Sequence, residues 1–386
     1  MAKKILADIL MDKSRKTLEE ACSEYTYYDE NGSFIYNLLV DLNSSEVTLH
    51  DVITKNVFKG IDYYQLISFA PLWVRDAGHS QEGAMSQKHF EELVNLNDNE
   101  LTHKFLYYHD CEMLMSAFQN RTQAIERLMN KIYEYLTPKI HRHIKEYEEF
   151  GYGIGSDGID VHTYINSLII TLASSFDLLT KVAFELQEMP KVGFERYPSM
   201  KSANVTYGDK KRLHDDIKVD GTLFGKDEPT CVRQVLSLRN EIIHNGSLDF
   251  HYSFYHGLID GKIEHLILFP DMTENGNLTC YKQRKKFYPD CTQTFNNKLP
   301  VMVMEVINCL AATLNLLIRE FDCEWTENDR EIMNYQKEIL GWRGLRMSED
   351  GTIHADWLKT GLDKKHQEML LKMVGDTFKE KNKDEE

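Results

Sequence analysis

The sequence predicts a mainly α-helical protein: a helical bundle with a small inserted antiparallel β-sheet and flanking helical regions. Three observations carry this. Met113, Phe118, Ile125, Leu128, Met129, Ile132, Tyr133 and Leu136 recur close to helical spacing. The segment YINSLIITLASSFDLLTKVAFEL is apolar on most of its faces, which marks a central bundle helix. Near residues 249–290 the period switches to strand-like alternation, with Asp260-Gly261 dividing two runs rich in aromatic and β-branched residues.

Taken in order, residues 1–110 read as short helices broken by turn signals such as DENGS and NLNDNE. A helix cap is expected at Asn43 to Ser45, ahead of Val47, Leu49, Val52 and Ile53. Trp73, Phe69, Tyr63 and Tyr64 should seed a small core. From Glu112 to Phe150 the pattern is long helix, kinked at Pro138, and GYGIGSDG ends it. The central helix, residues 159–189, carries one conspicuous internal charge, Asp177. Residues 190–230 are a long excursion rich in Pro and Gly. A helix resumes at about Thr230 and stops at Asn245-Gly246, since glycine tolerates a left-handed cap. Three antiparallel strands should follow, the third in LTCYKQRKKFY after the turn ENGN. Helix returns at Lys298 to Phe321. Residues 326–386 should add short helices containing Trp342 and Trp357, then a fraying acidic tail, KEKNKDEE.

A chain of 386 residues exceeds what one hydrophobic core usually organises. The division expected is 1–110, a helical region of unknown role; 111–325, the bundle with its β insertion; and 326–386. A net charge of −16 argues against indiscriminate nucleic-acid binding but leaves room for a local basic groove. Seven cysteines, Cys22, Cys111, Cys231, Cys280, Cys291, Cys309 and Cys323, are widely spaced with no metal-binding pattern, and read as reduced core thiols. The N-terminus lacks a secretory h-region. The apolar segment 301–318 contains Glu305, Asn308 and Asn315 and reads as a core helix, not a membrane span. A cytoplasmic location is expected, with no cofactor and no metal.

The stretch SLRNEIIHNGSLDF, residues 237–250, carries the candidate chemistry. On a helix, with about 100° per residue, Asn240 and His244 share one face, and the long Arg239 side chain can swing toward the same space. A helix C-terminus favours a protonated imidazole, so His244 could serve as general acid toward a leaving oxygen. Arg239 would meet phosphate through paired N–H donors, and Asn240 could orient either group. No carboxylate cluster for a divalent metal stands nearby, so metal-free phosphoryl transfer is suggested, for which RNA supplies its own 2′-OH nucleophile. The same residues also read as the polar end of a core helix, with Arg239 paired to Glu241 or Asp249 and His244 on a last-turn carbonyl.

The string Arg239-Asn240-Glu-Ile-Ile-His244, after an apolar helix in an α-helical chain, resembles the R-x(4–6)-H signature of HEPN-superfamily ribonucleases. The resemblance covers about residues 112–321. It implies a HEPN-like bundle that dimerises, so that two copies of the motif meet and cleave RNA without metal, leaving a 2′,3′-cyclic phosphate. Arg239, Asn240 and His244 match the motif, and Asp177 sits where some members place an acid supporting the arginine. Members include toxins and antiviral defence factors, which implies an antitoxin or defence-system partner. A non-catalytic HEPN-like module binding RNA, a nucleotide or a protein stays open beside it.

The densest basic run, KQRKKF, offers Lys282, Arg284, Lys285 and Lys286 as candidate RNA contacts, flanked by Tyr281, Phe287 and Tyr288. A charged edge strand explains the same residues. His141 and His143 diverge on a helix and read as a solvated face, and His251, His256 and His265 fall in the hairpin.

Overall fold

The computed structural model describes residues 34–59, 72–136, 150–153, 155–259, 262–282, 284–289 and 293–324, with a few further positions up to 355. Among them the chain is mainly helical: α1 (Phe34–Val57), α2 (Leu72–Asp76), α3 (Gln87–Leu96), α4 (Glu100–Leu136), α5 (Ser156–Glu188), α6 (Thr230–Asn245) and α7 (Phe295–Phe321). Strands β1 (Phe150–Gly153), β2 (Phe254–Ile259) and β3 (Lys262–Leu266) form one antiparallel sheet in that order. Two separate hairpins follow, β4 (Cys280–Tyr281) with β5 (Lys285–Lys286), and β6 (Leu345–Met347) with β7 (Ile353–Ala355).

The chain divides into two compact units, each assembled from separated stretches: Met1–Leu49, Leu114–Phe184 and Asn204–Glu320 in the first, and His50–Met113, Glu185–Ala203 and Phe321–Glu386 in the second. The sequence division at 110 and 325 cuts by consecutive stretches. The observed one differs because single helices supply both units: α4 gives Glu100–Met113 to the second and Leu114–Leu136 to the first.

In the first unit the predicted helical spacing reads out directly. Phe118, Ile125, Met129, Ile132 and Tyr133 of α4 are buried, as are Ile165, Leu168, Ile169, Leu172 and Phe176 of α5 and Val303, Val306, Ile307, Leu310 and Leu314 of α7. By length and composition α7 and the stretch Ser156–Lys191 could each cross a bilayer, Glu305, Asn308 and Asn315 notwithstanding, yet most of each is buried in the protein. Some interior polar groups are paired: Tyr133 Oη donates to the Asn296 carbonyl at 3.0 Å, and Thr313 Oγ1 accepts the Leu223 N–H at 2.9 Å. Glu46 on α1 is fully buried; its Oε1 accepts from Thr122 Oγ1 at 2.9 Å, while Oε2 finds no partner among the described residues. Burial therefore raises its pKa to about 7, against the Thr122 hydrogen bond that lowers it.

In the second unit Glu185 is the polar centre. Its Oε2 accepts from Tyr107 Oη at 2.7 Å and its Oε1 from the Ser202 N–H at 2.6 Å. Phe58 stacks obliquely on Phe105 and Tyr108, with ring centroids 5.0 and 5.6 Å away. Trp73 meets Phe90 edge-on; Tyr63, Tyr64 and Phe69 lie outside the described residues.

Four expectations are corrected. No cap forms at Asn43–Ser45: α1 runs straight through, because Ser44 and Ser45 turn their hydroxyls back onto the carbonyls of Val40 and Asp41. The helix predicted from Glu112 starts earlier, at Glu100, and is described to Leu136, whereas Phe150 is already in strand β1. The third strand of the sheet is that Gly-rich segment 150–153, paired to β2 from Phe150↔Gly257 to Gly153↔Phe254, and not residues 278–288. Glycines read as a break also fit an edge strand, where no side-chain packing is required of them. In the tail, β6 and β7 stand where short helices were expected, either side of Asp350-Gly351, a hairpin dipeptide. Pro138, Trp342, Trp357, His141, His143 and KEKNKDEE lie outside the described residues.

Candidate active site

Helix α6 has two faces. Cys231, Val232, Val235, Leu238, Glu241 and Ile242 are buried, while Asn240, Ile243 and His244 are exposed and Arg239 half-exposed. Ile243, although apolar, is 49% exposed and lies with the motif. The helix ends as predicted, at Asn245, with Gly246 at φ +101°.

Arg239 Nη1 donates to Asn240 Oδ1 at 3.0 Å, and Asn240 and His244 line a cleft of about 680 Å3. Among the described residues Arg239 pairs with neither Glu241 nor Asp249: Glu241 is engaged by Lys286 and Asn245, and Asp249 accepts the N–H groups of His251 and Ser253. His244 makes no hydrogen bond or ion pair among the described residues, so its imidazole is open to the cleft. Arg239 is not among the cleft's lining residues, although its guanidinium rests on one of them.

The opposite wall of the cleft is an arm, residues 269–289, laid along α6. Near the helix start, Gly276 lies so close that a Cβ there would come 2.8 Å from the Thr230 carbonyl. Midway, the Leu278 N–H donates to Ser237 Oγ at 2.8 Å. At the far end Lys286 Nζ reaches Glu241 Oε1 at 2.6 Å and the Ser247 carbonyl at 2.7 Å, and Tyr288 Oη donates to the Leu248 carbonyl. Asn277, Lys282 and Arg284 of the arm line the same cleft as Asn240 and His244.

The charges sort accordingly. Glu228, also on the cleft, is taken up by Lys210 at 2.9 Å and Tyr207 Oη at 3.0 Å, with Arg233 Nε at 3.8 Å. Glu241 is neutralised by Lys286. Lys282 stands 5.4 Å over the Tyr281 ring, and neither it nor Arg284 has an ion pair among the described residues. A chain of net charge −16 thus keeps an uncompensated basic edge beside His244. Cys280 is exposed here, contrary to the core-thiol expectation; desolvation and then Glu241 push its pKa up, against Lys286.

The other candidates are placed differently. Lys286 is partly buried, and its ammonium is engaged by Glu241 Oε1 and the Ser247 carbonyl; it is not among the residues that line the cleft. Lys285 is exposed on the other side of β5 and does not line the cleft. Asp177 is only half-buried, and its Oδ1 accepts the Tyr207 N–H at 2.7 Å, satisfying the first turn of the 3-10 segment Tyr207–Arg212; no ion pair joins it to Arg239. His265 is buried with Nδ1 against the Tyr135 carbonyl, and His251 abuts Phe250. Asn277 and Arg233 line the cleft without having been singled out by sequence, since nothing in a lone amide or a surface arginine marks it, and Asn245, read only as part of the helix stop, lines it too.

A smaller cavity of about 380 Å3 lies in the second unit, lined by His79, Phe90, Leu106, Asp110, Met113 and Tyr197 among others. Tyr197 Oη donates to Asp110, and His79 Nε2 is 3.8 Å from the other Asp110 oxygen. Burial lowers His79 and raises Asp110, so the pair leans toward its neutral forms. None of the sequence-predicted site residues is there.

No family model matches the chain, and no curated protein or solved structure is similar to it at a significant level. The site's chemistry therefore rests on its own geometry.

Proposed function

We propose that this protein is a metal-independent RNA endonuclease of HEPN type, its first unit a HEPN-like bundle, acting as a homodimer in a toxin or antiviral defence role. One observation carries the reading: the motif's imidazole and amide line a cleft together with two cations, Lys282 and Arg284, that have no ion pair among the described residues, and the motif's arginine rests on that amide. In this chemistry the RNA 2′-oxygen loses its proton to a base and attacks the adjacent phosphorus. The bond from phosphorus to the 5′-oxygen breaks, an acid protonates that oxygen, and a 2′,3′-cyclic phosphate remains. His244 serves as the acid, and His244 of a second copy as the base. The Arg239 guanidinium neutralises charge on the phosphoryl oxygens, and Asn240 holds it in place.

The second copy has a physical basis beside the motif. Ile243, 49% exposed, puts apolar surface between Arg239 and His244 on the motif's own helix, and Phe250, just beyond that helix, is 87% exposed; a dimer contact would cover such surface.

The test is cleavage of RNA in excess chelator by the full chain. Activity should fall by roughly 10²-fold or more in His244→Ala and Arg239→Ala, with both variants still folded. Strict magnesium dependence, or activity surviving both substitutions, rejects the reading. Binding of RNA or a partner with no turnover would instead favour the non-catalytic module.

A further inference from the structure

We infer that the arm selects the substrate: Lys282 and Arg284 hold phosphates flanking the scissile one, and the cleft takes an unpaired strand of RNA, not a duplex. The identity of the scissile group rests on the ribonuclease reading; the binding mode does not.

Of the four basic residues on the arm, the structure separates two by use. Lys286 is spent on Glu241, and Lys285 is not among the residues that line the cleft. Lys282 and Arg284 line the same cleft as His244 and have no ion pair among the described residues. Neutralising phosphate is what such cations do in an otherwise acidic protein, since counterion release supplies the affinity. Their position is set in advance by the arm's three ties to α6, at Gly276, Leu278 and Lys286. Lys282 itself adopts φ +50°, and the Arg284 N–H donates to the Tyr281 carbonyl at 3.2 Å, so the two cations project from one tight turn.

Size and chemistry favour a single strand. A cleft of about 680 Å3 lies within the usual range for pockets that enclose a small ligand, which suits one or two nucleotides. Duplex RNA is instead recognised across successive grooves of a long rigid helix, which a concave slot between a helix and an arm cannot follow. The Asn277 amide lines the cleft and its side chain makes no hydrogen bond among the described residues. It offers both a donor and an acceptor to a base edge, and base edges are available in that way only when unpaired.

The test uses full-length protein carrying His244→Ala, so that bound RNA stays intact, with a fluorescent single-stranded oligoribonucleotide and its blunt duplex titrated at several salt concentrations. The single strand is expected to bind at least tenfold more tightly. Adding Lys282→Ala with Arg284→Ala should weaken it roughly tenfold and flatten the dependence of log K on log salt by about 1.4, two single-strand phosphate contacts at about 0.7 each. The melting temperature should not change, and Lys282→Arg with Arg284→Lys should restore binding. If the alanine pair does not fold, the glutamine pair removes the same charges. Duplex binding equal to single-strand binding, or an unchanged slope in the double variant, overturns the inference even if the wild type cleaves RNA. Arm-dependent binding by a protein that never cleaves RNA would uphold it and sink the ribonuclease reading.

Discussion

Lys286 Nζ lies 2.6 Å from Glu241 Oε1, with side-chain exposures of 15% and 8%. The acid in the middle of RNEIIH therefore turns away from its neighbour Arg239 and into the base of the arm, where it also accepts from Asn245 Nδ2 at 2.6 Å. One carboxylate closes the end of α6 and fixes the cleft's far wall.

Removing one member of this pair should be costly, since it leaves a buried charge unpaired. Lys286→Met is expected to destabilise the protein by about 3 kcal/mol, and Lys286→Met with Glu241→Met by less than the sum of the two single changes. Urea denaturation of the four proteins measures this. Simple addition of the single effects would mean that the pair is not coupled.

Glu46 gives a pH signature. Its pKa is near 7 in the folded protein and near the ordinary 4.5 when unfolded, so the folded state binds the extra proton between those values. Its contribution to stability is full below about pH 4.5 and is lost as pH rises through 7. At 1.36 kcal/mol per unit, the loss is roughly 3 kcal/mol at most. Glu46→Gln should melt higher than the wild type at pH 8 and lose that advantage near pH 4.5, as read by thermal unfolding across pH.

Asp177 should matter to folding and not to chemistry. Asp177→Ala removes the acceptor for the Tyr207 N–H and should cost about 1 kcal/mol, while Asp177→Asn keeps an oxygen there and costs less. Chelator-resistant cleavage per folded molecule should be unchanged in both. A large loss of activity in folded Asp177→Asn would restore a role in supporting Arg239.

At Gly276, φ is +81° and an added Cβ would meet the Thr230 carbonyl and Gln234 Cγ, both at 2.8 Å. Gly276→Ala is expected to cost about 1–2 kcal/mol from the left-handed backbone alone, with more from the displaced arm. Weakened binding of single-stranded RNA should accompany the drop in melting temperature. A variant as stable as the wild type would show that the arm is not held there.

The long helices were legible because burial follows period: Phe118, Ile125 and Met129 announce α4, and Asn245-Gly246 announces the end of α6. Gly151 and Gly153 were misread because glycine signals a break and an edge strand alike, and strand pairing between residues a hundred apart leaves no local mark. Asn240 and His244 could be placed on one face by helical arithmetic. That Lys282 and Arg284 stand opposite them, and that Lys286 does not, depends on how a later segment folds back on α6. Glu241 illustrates the limit: sequence offers it as a surface partner for Arg239, and only packing reveals its inward turn.

The two faces of α6 also set how the motif would respond to mutation. Leu238, Glu241 and Ile242 point inward, while Arg239, Asn240, Ile243 and His244 point out. A saturation screen across residues 238–244 would then divide by helical phase: inward positions lower the amount of folded protein, and outward positions silence a protein that is still made in full. Within seven residues, the positions that hold the fold and the positions proposed to act on RNA lie on opposite sides of about two turns of helix.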